Sequence, residues 1–280
     1  MSGSDLDVYC ASNQKTIHEL AERFVDYQPL RGGSRQQFVA WLGQFSAQHR
    51  DLALTLARKV EYYGTHRITE GAIAMRGLVD QQIEAEQLAP ASVLYVPAGR
   101  SAESGGEILR RYRTANRLHS RKHQFVEVHQ LTEALVAIPH PGVFFLDDFI
   151  GTGKQVSNYW RDVLCQIVPD YLPLYLAVIA GFRDGIKKVE DNTPLKVIPV
   201  HTLDGRHELL GSANQAFNSA QKTTLRRYCE VWGNNPLGFG EIGALVSFAH
   251  GTPNNAPSVV RGSERQTPKC GLLPGWEDLD

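Results

Sequence analysis

The residues best suited to chemistry lie in Val143-Phe144-Phe145-Leu146-Asp147-Asp148-Phe149-Ile150-Gly151-Thr152-Gly153-Lys154-Gln155. An apolar run of strand length ends in two successive acids. A Gly-Thr-Gly loop follows, then an expected helix carrying Trp160, Val163, Leu164 and Ile167. Adjacent acids at the end of a buried strand cost desolvation and repel one another, so they persist where a cation or a hydroxyl-rich group meets them. The loop offers backbone N–H groups, a hydroxyl and a helix N-terminus, which are the parts of a phosphate cradle. Together these suit a sugar phosphate, with carboxylates for ribose hydroxyls or hydrated Mg²⁺ and the loop for the phosphate. The plain alternative is an acidic turn in which Asp148 caps the next helix. A nucleotide-hydrolysing P-loop is excluded: G-x-x-x-x-G-K-[ST] would need Gly at 148 and Ser or Thr at 155, where the chain has Asp148 and Gln155.

A second loop precedes this one. Ser92–Pro97 reads as a strand, and Ala98-Gly99-Arg100-Ser101-Ala102-Glu103-Ser104-Gly105-Gly106 leads into a helix near Glu107. Small residues let backbone approach an anion closely, and a helix start favours negative charge. Ser104, Gly105 and Gly106 are the expected contact point, with Arg100 as counter-charge. Next comes a basic run, Arg110, Arg111, Arg113, Arg117, Arg121 and Lys122 with His119 and His123, uninterrupted by any acid. Solvated helix face, anion clamp and nucleic-acid contact all use these residue types.

The elements that would position these groups fall into two regimes. Up to about residue 90 the apolar residues recur at helical spacing. Examples are Ile17, Leu20, Ala21 and Phe24, then Phe38, Trp41, Leu42 and Phe45 with Ser34 as N-cap. Core packing is the preferred reading of that aromatic stripe over a partner-binding face. Beyond Pro90, short apolar runs alternate with helical stretches. Strands are expected at Ser92–Pro97, Phe125–Val128, Val143–Asp147, Leu174–Ile179, Lys196–Val200 and Ala244–Ala249. Helices are expected at Glu107–Arg117, Gln155–Ile167, Gly185–Asp191 and Thr223–Trp232. Strands apolar almost throughout, separated by helices, imply an α/β fold with a mostly parallel sheet flanked by helices. Such sheets bind ligands at the carboxyl ends of their strands. The expected organisation is a helical N-terminal subdomain over 1–90, an α/β core over 91–262 and an extended tail over 263–280, anchored by Trp276. Phe182, after Leu174–Ile179, could stack on a base or pack. The turn Thr252-Pro253-Asn254-Asn255 could fix its own loop or read a polar ligand.

The 280 residues carry 29 Lys and Arg against 30 Asp and Glu, a net charge of −1. That balance excludes a chain whose whole surface binds nucleic acid or membrane. A hydrophobic fraction of 42% and a mean hydropathy of −0.28 fit a folded, soluble protein. No apolar run approaches the roughly 18–20 residues that span a bilayer. Met1 to Asp7 is polar and acidic, unlike a signal peptide, so a cytoplasmic location is expected. Cys10, Cys165, Cys229 and Cys270 are scattered without ligand-like neighbours and read as reduced thiols rather than a zinc site.

The strand, the two acids and the Thr-Gly loop resemble the phosphoribosyl pyrophosphate (PRPP) signature of type I phosphoribosyltransferases. Lys154-Gln155 departs from the usual small residue and Thr. The resemblance implies that Asp147 and Asp148 meet the ribose hydroxyls and hold Mg²⁺ indirectly, and that Gly151, Thr152, Gly153, Lys154 and Gln155 hold the 5′-phosphate. It further implies that Arg100, Ser104, Gly105 and Gly106 face the pyrophosphate, and that Arg117, Arg121 and Lys122 sit where a flexible loop closes over it. The chain as a whole resembles the branch encoded in bacterial conflict or anti-phage systems, including some retron operons. That likeness rests on Phe38–Phe45, Leu52-Ala53-Leu54, Ser104–Arg110, Leu146–Gln155 and Gly251–Pro257. It implies a PRPP- or nucleotide-directed glycosyl-transfer enzyme acting as a defence effector. A PRPP or nucleotide sensor, or a protein contacting nucleic acid through Arg110–Lys122, are the alternatives. Partners implied are other defence proteins such as a reverse transcriptase or regulator, and a second copy of the chain.

Overall fold

The computed structural model describes residues 3–29, 34–99, 104–262 and 269–275. In chain order the elements are α1 (Gly3–Ser12), α2 (Gln14–Arg23), α3 (Ser34–Gly43), α4 (Arg50–Lys59), β1 (Glu61–Tyr63), α5 (Thr65–Ala85), β2 (Val93–Pro97), α6 (Ser104–Ala115), α7 (Leu131–Ala137), β3 (Gly142–Ile150), α8 (Lys154–Asp162), β4 (Leu174–Phe182), α9 (Arg183–Asn192), β5 (Lys196–Leu203), α10 (Ser219–Trp232), β6 (Val246–Phe248) and α11 (Ser258–Arg261). All strand pairings are parallel, and the fold is α/β with helices flanking the sheets.

The chain forms two compact units: Met1–Thr65 with Gly205–Asp280, and His66–Asp204. The expected boundaries at 90 and 262 do not coincide with this division. The reason is β1, a three-residue Glu-Tyr-Tyr strand inside the stretch read as helical. It pairs with β6, which was expected in the main sheet. Tyr63 and Phe248 stack across this pair with ring centroids 4.9 Å apart. The helical stripe of Phe38, Trp41 and Phe45 is core as expected; Trp41 is fully buried, and its indole N–H donates to the Val259 carbonyl at 2.8 Å. Around it lie Tyr228 and Trp232 of α10. Part of the expected tail docks on the same unit: Leu272 and Leu273 are buried, and Tyr27 donates to the Pro274 carbonyl at 2.6 Å. Trp276 and Arg100, both singled out from the sequence, lie outside the described residues, as does the side chain of Ser34, the first residue of α3.

The second unit holds the four-stranded sheet, ordered β2-β3-β4-β5. Strand alternation sends Leu94, Val96, Val143, Phe145, Leu174, Leu176 and Val178 to one face, where they join Trp160 of α8, Leu164, and Val189 of α9. Tyr95, Phe144 and Tyr175 line the other face, with Phe144 stacked on Tyr175 at 4.5 Å and Tyr95 tilted against Phe144 at 6.2 Å. There Gly71 of α5 lets that helix approach Ile179. Cover on both faces explains why β3 and β4 are apolar almost end to end.

The expected strand Phe125–Val128 reduces to one parallel bridge, Tyr95 to Phe125. Glu127 ends it by starting a capping box with Gln130, which turns the chain into a short 3₁₀ helix. That single bridge matters for topology. From β2 the chain reaches Phe125 on the outer side, then returns to β3 on the inner side. The direction of winding therefore reverses between β2 and β3, and in open parallel sheets ligands bind beyond the carboxyl ends at such a reversal.

Candidate functional site

Asp147 and Asp148 sit at the carboxyl-terminal part of β3, beside the end of β2; the Ala98 N–H donates to the Leu146 carbonyl at 2.9 Å. Each is only 8% exposed. Strand alternation would send two successive side chains to opposite faces. One group joins them: Ser104, the first residue of α6, whose Oγ lies 2.8 Å from Asp147 Oδ1 and 2.7 Å from Asp148 Oδ1. The Asp148 N–H also donates to Asp147 Oδ1 at 3.0 Å. Burial first, and the neighbouring Asp148 carboxylate second, push the Asp147 carboxyl well above the usual aspartate range, against the opposing pull of Ser104.

The two glycine loops are shaped by backbone contact. A Cβ on Gly105 would overlap the Ala98 carbonyl, so α6 starts flush against the end of β2. Gly153 has φ of +72°, and a Cβ on it would overlap the Gly185 carbonyl of α9. Thr152 Oγ1 accepts the Lys154 N–H at 3.3 Å, closing the turn into α8. Lys154 and Gln155 are exposed in the first turn of α8. Gln155 lines, with Asp147, Ala98 and Gly99, a small cleft whose other lining residues include Phe145, Tyr159, Leu176 and Leu195. Asp147, Asp148, Ser104, Gly105 and Gln155 are thus brought together. Gly106 is exposed, with open space where a Cβ would be.

Arg117 and Lys122 are not brought to the carboxylates. The 12 residues of α6 span about 18 Å at roughly 1.5 Å per residue and lead away from Ser104. The segment after it returns at the amino-terminal end of β2, where the buried Gln124 amide donates to the carbonyls of Pro90 and Val93 at 2.6 and 2.9 Å. Arg117 and Lys122, both exposed, therefore flank the opposite end of the sheet. The run is also less free than its residue types suggest. Glu107 binds Arg110 at 2.6 Å and Arg111 at 2.7 Å. Burial raises the Glu107 carboxyl, but these two arginines outweigh it and hold it below the ordinary range. Arg113 lies over the Phe125 ring. Glu107 precedes the run by three residues, so an i, i+3/i+4 reading could have found these pairs.

Two downstream candidates are structural. Phe182 is buried edge-on against Phe149 at 6.1 Å. In the other unit, Thr252 bonds Tyr27 and Ser247, and Asn255 donates to the Phe239 carbonyl, so that turn fixes its own loop. The residue of the site that sequence reasoning placed in another role is Ser104, expected on pyrophosphate and found on the acids.

Two buried carboxylates converging on a hydroxyl are hard oxygen donors of the kind Mg²⁺ accepts when water and phosphate complete its shell. No cluster of three or more metal-ligating side chains occurs among the described residues, so a cation here would depend on ligand oxygens. Among the described residues no helix is long and apolar enough to cross a membrane. Comparison with curated proteins gives no match. The model of one family, PRTase-CE, matches residues 38–279, which covers all of the second unit, most of the first, the paired acids and both glycine loops. The chain therefore belongs to the PRTase-CE family and is phosphoribosyltransferase-like.

Proposed function

We propose that the chain binds PRPP with Mg²⁺ and transfers the phosphoribosyl group to an acceptor. The observation that carries this reading is the convergence of Asp147 and Asp148 on one hydroxyl at the winding reversal of a parallel sheet. In this reading the two ribose hydroxyls donate to Asp147 and Asp148. The 5′-phosphate lies against the Gly151–Gln155 turn at the start of α8, with Lys154 supplying charge. The pyrophosphate lies toward the Ser104–Gly106 start of α6. The C1–oxygen bond to pyrophosphate breaks, positive charge develops on the ribose, and the acceptor's lone pair closes on C1 as its proton leaves to solvent. Mg²⁺, when bound, supplies neutralisation of the leaving pyrophosphate. Two buried carboxylates stabilise the cationic ribose, so no protein nucleophile is required.

The test is calorimetric titration of the full chain with Mg²⁺–PRPP. Asp147→Asn and Asp148→Asn are each expected to weaken binding by about ten-fold or more, the worth of one charge-assisted hydrogen bond. Unchanged affinity in both variants sinks the reading. A role as effector in a bacterial defence system belongs to the same proposal and rests on family resemblance. It is tested by whether the Asp147→Asn gene still restricts phage in its native operon.

A second role, for the Arg110–Lys122 segment, is favoured by the position of Arg117 and Lys122 at the far end of the sheet from the acids. Such a segment suits a polyanion such as nucleic acid. Binding of a single-stranded oligonucleotide that weakens with salt, and whose salt slope falls by about one per arginine removed, would support it. Salt-independent or absent binding would remove it.

A further inference from the structure

We propose that the amino-terminal end of the four-stranded sheet is a surface for single-stranded nucleic acid, on which only the second half of the basic run meets phosphates and Tyr171 stacks on a base; this deepens the nucleic-acid role of that segment and rests on it. From Ile108 to Val126 the chain carries no acid. The run nevertheless divides in two. Arg110 and Arg111 are neutralised by Glu107. Arg113, Arg117, Arg121 and Lys122 take part in no ion pair among the described residues. Arg113 lies over the Phe125 ring, and its Nε makes no hydrogen bond. Arg117 and Lys122 are exposed, one in the turn after α6 and the other in the 3₁₀ segment His119–Gln124. Like charges gathered without counter-ions repel one another. A chain of phosphates relieves that repulsion while releasing its own condensed cations.

The same end of the sheet presents an aromatic ring that the fold does not use. Tyr171 stands three residues before β4, 82% exposed, with no hydrogen-bond or ring partner among the described residues. Its turn is tied to the start of β3 by the Val143 N–H, which donates to the Pro173 carbonyl at 2.9 Å. Gln124 ties the basic segment to the start of β2 in the same way. β2, β3 and β4 are parallel neighbours, so the starts of β2 and β4 lie about 10 Å apart, two strand spacings. A single strand of a few nucleotides bridges that distance. Stacking on a side chain needs an unpaired base, whose faces a duplex hides. The exposed Asp170 precedes the ring and repels phosphates, so a base rather than the backbone meets Tyr171.

The test is fluorescence anisotropy of a labelled oligothymidine of about 15 nucleotides, titrated with the full chain over a series of salt concentrations. The slope of log affinity against log salt is expected at about −3, from roughly −0.7 for each phosphate that Arg113, Arg117, Arg121 and Lys122 neutralise. Arg117→Gln, Arg121→Gln and Lys122→Gln are each expected to make it shallower by about 0.7. Arg110→Gln, which removes a cation already paired with Glu107, leaves the slope unchanged. Tyr171→Ala weakens binding by about five-fold or more at an unchanged slope, and Tyr171→Phe keeps wild-type affinity. A duplex of the same length binds more weakly than the single strand. If Arg110→Gln lowers the slope as much as the other three, if Tyr171→Ala binds as wild type does, or if the duplex binds more tightly, the proposal is overturned and the nucleic-acid role of the segment stands. If the oligothymidine does not bind, or binds independently of salt, both fall.

Discussion

Gly153 and Gly185 meet backbone to backbone. The left-handed Gly153 ends the loop after β3, and the Gly185 carbonyl of α9 stands where a Cβ on Gly153 would be. Their contact holds the loop that carries Thr152 against the helix following β4. Gly153→Ala combines a left-handed backbone with a steric overlap that neither partner relieves by a rotamer change. A cost of about 2 kcal/mol or more, and a Tm lower by at least about 4 °C, is expected by differential scanning calorimetry. A variant as stable as wild type would show that the loop and α9 are not in contact.

Asp147 sets a pH dependence whose sign follows from burial. The folded chain holds a proton on this carboxyl more tightly than the unfolded chain does. Its contribution to stability is therefore full below the ordinary aspartate range and is lost as pH rises through the raised folded-state value. Asp147→Asn is expected to raise Tm at pH 7.5 by about 2–4 °C, the effect of roughly 1 kcal/mol in a protein of this size. The gain should shrink toward pH 4. A lower Tm at neutral pH would mean that the acid is compensated in the folded chain.

Arg117→Ala and Lys122→Ala are expected to leave Mg²⁺–PRPP affinity within about two-fold, since both residues flank the far end of the sheet; on this scale two-fold is under 0.5 kcal/mol. A loss of ten-fold or more in calorimetry would require the segment after α6 to reach the acids.

Gln124 seals the turn that carries those residues, through bonds to the carbonyls of Pro90 and Val93. Gln124→Leu leaves both acceptors without this donor in a buried position. A destabilisation of about 1–3 kcal/mol is expected in urea unfolding. An unchanged midpoint would show that solvent replaces the amide.

Sequence alone determined the local units. The apolar run into Asp147-Asp148, the glycine loop after it, the helix beyond and the core stripe of Phe38, Trp41 and Phe45 were all legible, because each is encoded by neighbours within one or two turns or along one strand. So was the parallel sheet, since strands covered on both faces must be apolar throughout. Tertiary structure decided what depends on distant partners. It paired β1 with β6 and so joined the two ends of the chain in one unit. It held Phe125 to a single bridge and so placed the winding reversal between β2 and β3. It also carried Arg117 and Lys122 along α6 to the far end of the sheet. Finally, it put Ser104 on both acids: alternation by itself separates Asp147 from Asp148, and only a helix start packed flush on Ala98 delivers one hydroxyl to both.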